Sequence, residues 1–267
     1  MESLLDAAQS GASDVLNKII RTGIDIEKTD SDGNTALILA ASNGHTECMQ
    51  LLVNVRANLN AKNEFGFTPL ISAAKSSHIE SLKLLIDARA DIEAKDMNRS
   101  TALIWASIEG HTASAQLLVD SKAEIDAKNG FRYTALVVAA ENGHVECVQM
   151  LLNAKADVDT QTQFNYTPLI TASLEGHASC VQVLIDARAD LEIRDFNGAT
   201  ALIRAAREGS TECVQMLLEA GADLEASDKK HSSALMWAAS RGNTACVRLL
   251  LRSKLSFEAM RYVDGDS

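Results

Sequence analysis

The feature that most restricts this chain is a period. Thr35 recurs every 33 residues as Thr68, Thr101, Thr134, Thr167 and Thr200, and as Ser233 in the last copy. A Leu stands two residues after each, from Leu37 to Leu235, and no residue is inserted or lost between copies. A fixed period of this size implies a stacked array of small units, each burying its apolar face only against its neighbours.

The unit reads as two helices and a turn. Thr sits where an N-cap hydroxyl can accept an orphan amide. Pro69 and Pro168 follow it at the first helical position, where a missing N–H costs nothing. Apolar residues then recur at helical spacing, as in Leu37, Ala40 and Ala41, and the helix stops at Gly44, Gly110, Gly143, Gly176, Gly209 or Gly242. Ser77 takes that place once. A second amphipathic helix follows, and small alanines on the first helix let it approach. Between the second helix and the next Thr lies an acidic–apolar–acidic triplet such as Asp91-Ile92-Glu93 or Asp190-Leu191-Glu192. Its alternation predicts an extended element.

Two helices and a β-turn in 33 residues, with T-[PA]-L and Gly-His, closely resemble the ankyrin repeat over nearly the whole chain. The resemblance implies an all-α solenoid of stacked helix-turn-helix units with short β-turn fingers. It places one domain over 1–260, with an N-terminal cap repeat at 1–29, seven repeats from about residue 30, and a short polar tail at 261–267. Two departures stand out. The family's usual His three residues after the Thr is replaced by Ile38, Ile71, Ile104, Val137, Ile170, Ile203 and Met236, an apolar row in place of a polar network. The Gly that usually ends the second helix survives only as Gly23 and Gly221. Arg56, Arg89, Lys122, Lys155, Arg188 and Lys254 stand in the other copies. If φ is positive there, each carries strain of about 1 kcal/mol, offset by about 0.3–1 kcal/mol from a cation at a helix C-terminus.

Composition removes several function classes. The net charge of −11 argues against non-specific nucleic-acid binding. No run of 18 apolar residues is present, and Met1 to Asp6 shows no basic and then apolar leader, so a cytoplasmic protein is expected. Cys48, Cys147, Cys180, Cys213 and Cys246 share one repeat position. They are read as buried packing residues and not as disulfides or metal ligands. The His at positions 45, 78, 111, 144 and 177 likewise occupy one scaffold position. No nucleophile, acid–base pair, phosphate loop or metal motif is found, so no enzyme and no cofactor are expected.

Binding residues are sought where the chain escapes its own repeat. In the family these are the finger tips and the open side of the first helix, lining a concave groove. Seven of the eleven aromatic residues sit in fingers: Phe65, Phe67, Phe131, Tyr133, Phe164, Tyr166 and Phe196. Three fingers carry a ring three residues and one residue before the Thr, a spacing that puts both on one side of an extended segment. From Phe131 to Phe196 they predict an exposed aromatic strip of about 20 Å. Trp105, at a variable first-helix position shared with Trp237, and Glu141, Glu175 and Glu208 complete the candidate surface. The expected partner is another protein, offering apolar anchors and some Lys or Arg to a scaffold or adaptor that is monomeric on its own. A structural subunit of a larger assembly, or a small-ligand or phosphate-ligand receptor using the basic row, is the alternative.

Overall fold

A computed structural model of the chain describes the backbone of residues 3–264 and the side chains of residues 3–255. Sixteen α-helices follow one another along the described residues. The chain divides into two compact units, Met1–Ala135 and Leu136–Ser267.

The N-terminal unit holds four helix pairs. These are α1 (Leu4–Ser10) with α2 (Ser13–Ile20), α3 (Ala36–Ser42) with α4 (Thr46–Asn54), α5 (Pro69–Lys75) with α6 (Ile79–Asp87), and α7 (Ala102–Ile108) with α8 (Thr112–Asp120). First helices stack on first helices and second on second. The C-terminal unit repeats the plan. It contains α9 (Ala135–Glu141, entered from the unit boundary) with α10 (Val145–Asn153) and α11 (Pro168–Glu175) with α12 (Ala178–Asp186). After them come α13 (Ala201–Glu208) with α14 (Thr211–Glu219), and α15 (Ala234–Arg241) with α16 (Thr244–Asp264).

The expected caps are in place. The hydroxyls of Thr35, Thr68, Thr101, Thr167 and Ser233 each accept from the amide three residues on, at 3.2–3.4 Å. Thr200 has the same extended backbone, yet its buried hydroxyl makes no such bond. The alanine pairs Ala40/Ala41, Ala73/Ala74 and Ala205/Ala206 are completely buried. Any larger side chain there would push helices apart, a typical overpacking cost of about 1–3 kcal/mol. The apolar row that replaces the family histidine is also buried, from Ile38 to Ile203, and only Met236 is open, at 56% exposure.

The histidine row has a specific job. His78 Nε2 lies 3.1 Å from the Ser42 carbonyl, and His45, His111 and His177 meet Gln9, Lys75 and Glu141 carbonyls in the same way. Each ring therefore ties its repeat to the end of the preceding first helix. The helix-ending glycine is needed twice over. Gly44 has φ 74°, and a Cβ on it would fall 2.5 Å from the His78 ring.

Three expectations change. The acidic triplets are turns, not extended elements. Asp91, Asp190 and Asp223 accept the amide two residues on, the Asx-turn that short acids favour. The third residue then reaches the next repeat. Glu93 accepts from the Glu124 amide at 2.8 Å, Asp159 from Asp190, and Glu192 from Asp223. Alternating charge thus marks a chain of inter-repeat staples. The basic row does adopt positive φ at Arg56, Arg89, Lys122, Lys155 and Arg188, between 62° and 73°. Lys254 does not belong to it. It lies inside α16, which continues to Asp264, and it pairs with Glu225 at 3.0 Å. The helix thereby enters the stretch read as a polar tail; residues 265–267 lie outside the described residues.

Candidate functional site

Each finger is organised by the residue five positions before the repeated Thr. Asn63 Oδ1 accepts the amides of Phe65 and Phe67, Asn129 those of Phe131 and Tyr133, and the Thr162 hydroxyl those of Phe164 and Tyr166. Asp30, Asp195 and Asp228 build their fingers in the same way. The chain reverses through positive φ two residues before the Thr, at Gly33, Gly66, Arg99, Arg132, Asn165, Gly198 and His231. Successive fingers are then linked by single backbone bonds. Met97 donates to the Phe65 carbonyl at 3.1 Å and Gly130 to Asn98 at 2.8 Å in the N-terminal unit. Phe196 donates to Phe164, and Lys229 to Asn197, both at 2.9 Å, in the C-terminal unit.

This geometry sorts the aromatic residues by depth. Phe65, Phe131, Phe164 and Phe196 stand at the tips, 57%, 50%, 47% and 61% exposed. Phe67, Tyr133 and Tyr166 are half-buried. The paired rings do share a side, with centroids 6.2 Å apart for Phe65–Phe67 and for Phe164–Tyr166. A tight turn brings them together, not the extended segment expected. The inner rings carry structure: Phe67 packs edge-on against Trp105 at 5.2 Å, and Tyr166 lies 5.6 Å from the Arg204 guanidinium. Phe131 and Tyr133 belong to the N-terminal unit; Phe164, Tyr166 and Phe196 belong to the C-terminal one.

Trp105, expected at a groove edge, is a clasp. Its indole N–H donates to Asp96 Oδ2 at 2.9 Å, and Lys75 Nζ lies 4.3 Å from the ring centre while pairing with Glu109 at 2.7 Å. Trp237 repeats the bond with Asp228 at 2.8 Å, under the Arg207 guanidinium. Arg204 does the same through Nε to Asp195 Oδ2 at 2.6 Å, and a second nitrogen of the same guanidinium closes a buried ion pair. Asp228 is pushed up by burial, but the amides of Ser232 and Lys230, the Trp237 indole and the Lys230 charge together bring its carboxyl below the usual range. The rule is visible in the sequence. Wherever Trp or Arg stands four residues after the Thr position, Asp stands five before it. Asn or Thr takes that place where the partner is Ser72, Val138 or Thr171.

The glutamates are not equivalent. Glu141 is half-buried, and burial, then repulsion from Glu175, raises its carboxyl above the usual range. Glu175 is exposed, while Glu208 meets Arg207 at 3.4 Å. Sequence reasoning passed over Met97, 75% exposed beside Phe65, and the exposed run Lys229-Lys230-His231 beside Phe196. Both were legible as apolar or basic residues at tip positions.

Chemistry elsewhere is sparse. The five cysteines are buried and form no disulfide, and burial pushes Cys180 and Cys213 up to about 11, which keeps them as thiols. Among the described residues no His/Cys/Asp/Glu group could hold a metal ion. A cleft of about 430 Å³ in the N-terminal unit includes Arg89 and Lys122 of the basic row, but Asp91 and Glu93 share its wall. Those acids oppose a phosphate there. No helix among the described residues is long and apolar enough to cross a membrane.

The family description for ankyrin repeats in three copies matches residues 4–96, 90–162 and 154–228, and the single-repeat description matches 230–256. The chain is an ankyrin-repeat protein. Comparison with curated proteins returned no match. Among solved structures, the ankyrin repeat domain of human ASB11 superposes with a TM-score of 0.75 at 27% identity, covering 84% of this chain and 99% of that one. Ankyrin repeats are in general non-catalytic modules of protein–protein interaction, and the sixteen helices and fingers of this ankyrin-repeat chain follow that architecture.

Proposed function

We propose that this ankyrin-repeat chain is a non-catalytic adaptor or scaffold that captures another protein through its finger tips and the adjoining first-helix surface. The observation that carries the reading is the depth sorting of the finger rings. The inner rings are half-buried, while Phe65, Phe131, Phe164 and Phe196 present between 47% and 61% of their surface. Apolar rings held outward on a rigid turn are the usual anchors of protein interfaces. Little ordering is required of a preformed scaffold, so the interaction energy is retained for affinity. The five reduced, buried cysteines suit a reducing compartment, and we assign the cytoplasm.

The test is affinity capture from native extract with wild type and with Phe65, Phe131, Phe164 and Phe196 all changed to Ser. Loss of the captured partners at unchanged melting temperature supports the reading. An identical set of partners on both baits would reject the tips as the binding surface.

A further inference from the structure

The C-terminal unit has a chemical asymmetry that the overall acidity of the chain conceals. Phe164 and Phe196 lie side by side through the Phe196 amide, and the next finger joins them through the Lys229 amide on Asn197. Lys229 Nζ stands 4.8 Å from the Phe196 ring centre. Lys230 and His231 follow at the same exposed turn. Asp228, the acid nearest to them in sequence, is buried and already accepts two finger amides and the Trp237 indole. Glu225 is engaged by Lys254, and Glu192 by the Asp223 amide. Arg194 binds only backbone carbonyls, of Gly198 and Ser227. Among the described residues Lys229, Lys230 and Arg194 therefore form no ion pair, in a chain of net charge −11.

His231 turns this finger at φ 58°, as Arg99, Arg132 and Asn165 turn theirs, and it stands exposed beside Lys230.

We propose that this finger edge, Phe164, Phe196, Lys229, Lys230 and His231 with Arg194, binds an acidic peptide segment carrying an apolar anchor. The inference rests on the finger tips being the partner surface. The anchor covers the two exposed rings, and its flanking carboxylates meet cations that form no ion pair among the described residues. A nucleic acid is the less fitting polyanion, because the −11 chain repels a long charged strand while a short acidic segment meets only the local field. The expectation of Lys or Arg in the partner suits the glutamates of the first helices, not this edge.

A displayed random peptide library selected on the full chain tests it. The expected enriched peptides combine Asp and Glu with one large apolar residue. Their affinity should fall at high salt and weaken about tenfold on K229E/K230E, with a basic counterpart gaining. Phe164→Ser with Phe196→Ser should abolish both. Enrichment of neutral or basic peptides, or of none, overturns the inference. So does indifference of the selected peptides to Lys229 and Lys230, or tighter binding of a labelled single-stranded oligonucleotide. If any of these occurs while the tip variant still loses its captured partners, the interaction reading stands and only the acidic specificity fails.

Discussion

The amide of Phe196 donates to the carbonyl of Phe164 at 2.9 Å, and both side chains point away from the packed interior. The bond that joins the two fingers uses backbone alone. The rings can therefore be exchanged without touching the link, and the same holds for Phe65 and Met97 in the N-terminal unit.

Depth should separate stability from recognition. Phe65→Ser or Phe164→Ser should shift stability by less than about 0.5 kcal/mol, as expected of exposed positions. Phe67→Ser should cost more, since it removes the edge contact with Trp105 as well as buried area. The aromatic pair alone is worth about 0.5–1.5 kcal/mol. Denaturant titration of the three variants and of a Phe67/Trp105 double-mutant cycle checks the order; equal losses at Phe65 and Phe67 would refute it.

The buried clasp predicts an asymmetry between single and double changes. Arg204→Val leaves Asp195 without its charge partner and should destabilise by about 3–5 kcal/mol. Adding Asp195→Asn should recover much of that loss. The chain already uses this pairing at Asn129 and Val138, where Asn builds the finger without an ion pair. Equilibrium unfolding in urea distinguishes rescue from simple addition of two losses.

Positive φ yields a signed pair. Lys122→Gly and Lys155→Gly, at φ 73° and 72°, should each stabilise by up to about 1 kcal/mol, reduced by the lost charge at the helix end. Gly23→Ala meets nothing within 4 Å and pays only for conformation, whereas Gly44→Ala must also displace the His78 ring. The larger drop in melting temperature belongs to Gly44→Ala. A smaller or equal drop there would remove the histidine from the account.

Glu141 supplies the pH dependence. Burial, and secondarily Glu175, lift its carboxyl above the usual 4.5. A group that holds its proton more tightly when folded stabilises the fold below its unfolded value. That contribution is lost as the pH rises through the folded value. Glu141→Gln should therefore gain on wild type as pH climbs from about 4.5 through the raised folded value. Glu175→Gln should give a weaker change of the same sign. Parallel melting profiles across that interval would contradict the assignment.

The array itself was readable from spacing alone, because caps, alanines and helix stops act within a few residues. The finger turns were harder. Ring pairs two apart look alike in a strand and in a turn closed by Asn63 or Thr162, and only the amide acceptors decide between them. The acidic triplets misled for the same reason: alternation suited a strand, but Asp91 binds its own turn and Glu93 the next repeat. Trp105 read as a partly buried residue near the groove, and it is half-buried, but its bond to Asp96 nine positions earlier was not foreseen. That correlation was present in the sequence, but it emerges only when repeats are compared with one another and not with a helix template.

The finger residue five before the Thr fixes each turn without help from the side chains at its tip. The tip positions therefore behave as open slots: Asp32, Phe65, Asn98, Phe131, Phe164, Asn197 and Lys230 occupy equivalent sites on the same support. A lineage of such chains can rewrite its recognition one slot at a time, by single codon changes that leave folding untouched. Change of partner is then limited by selection on binding and not by the tolerance of the fold.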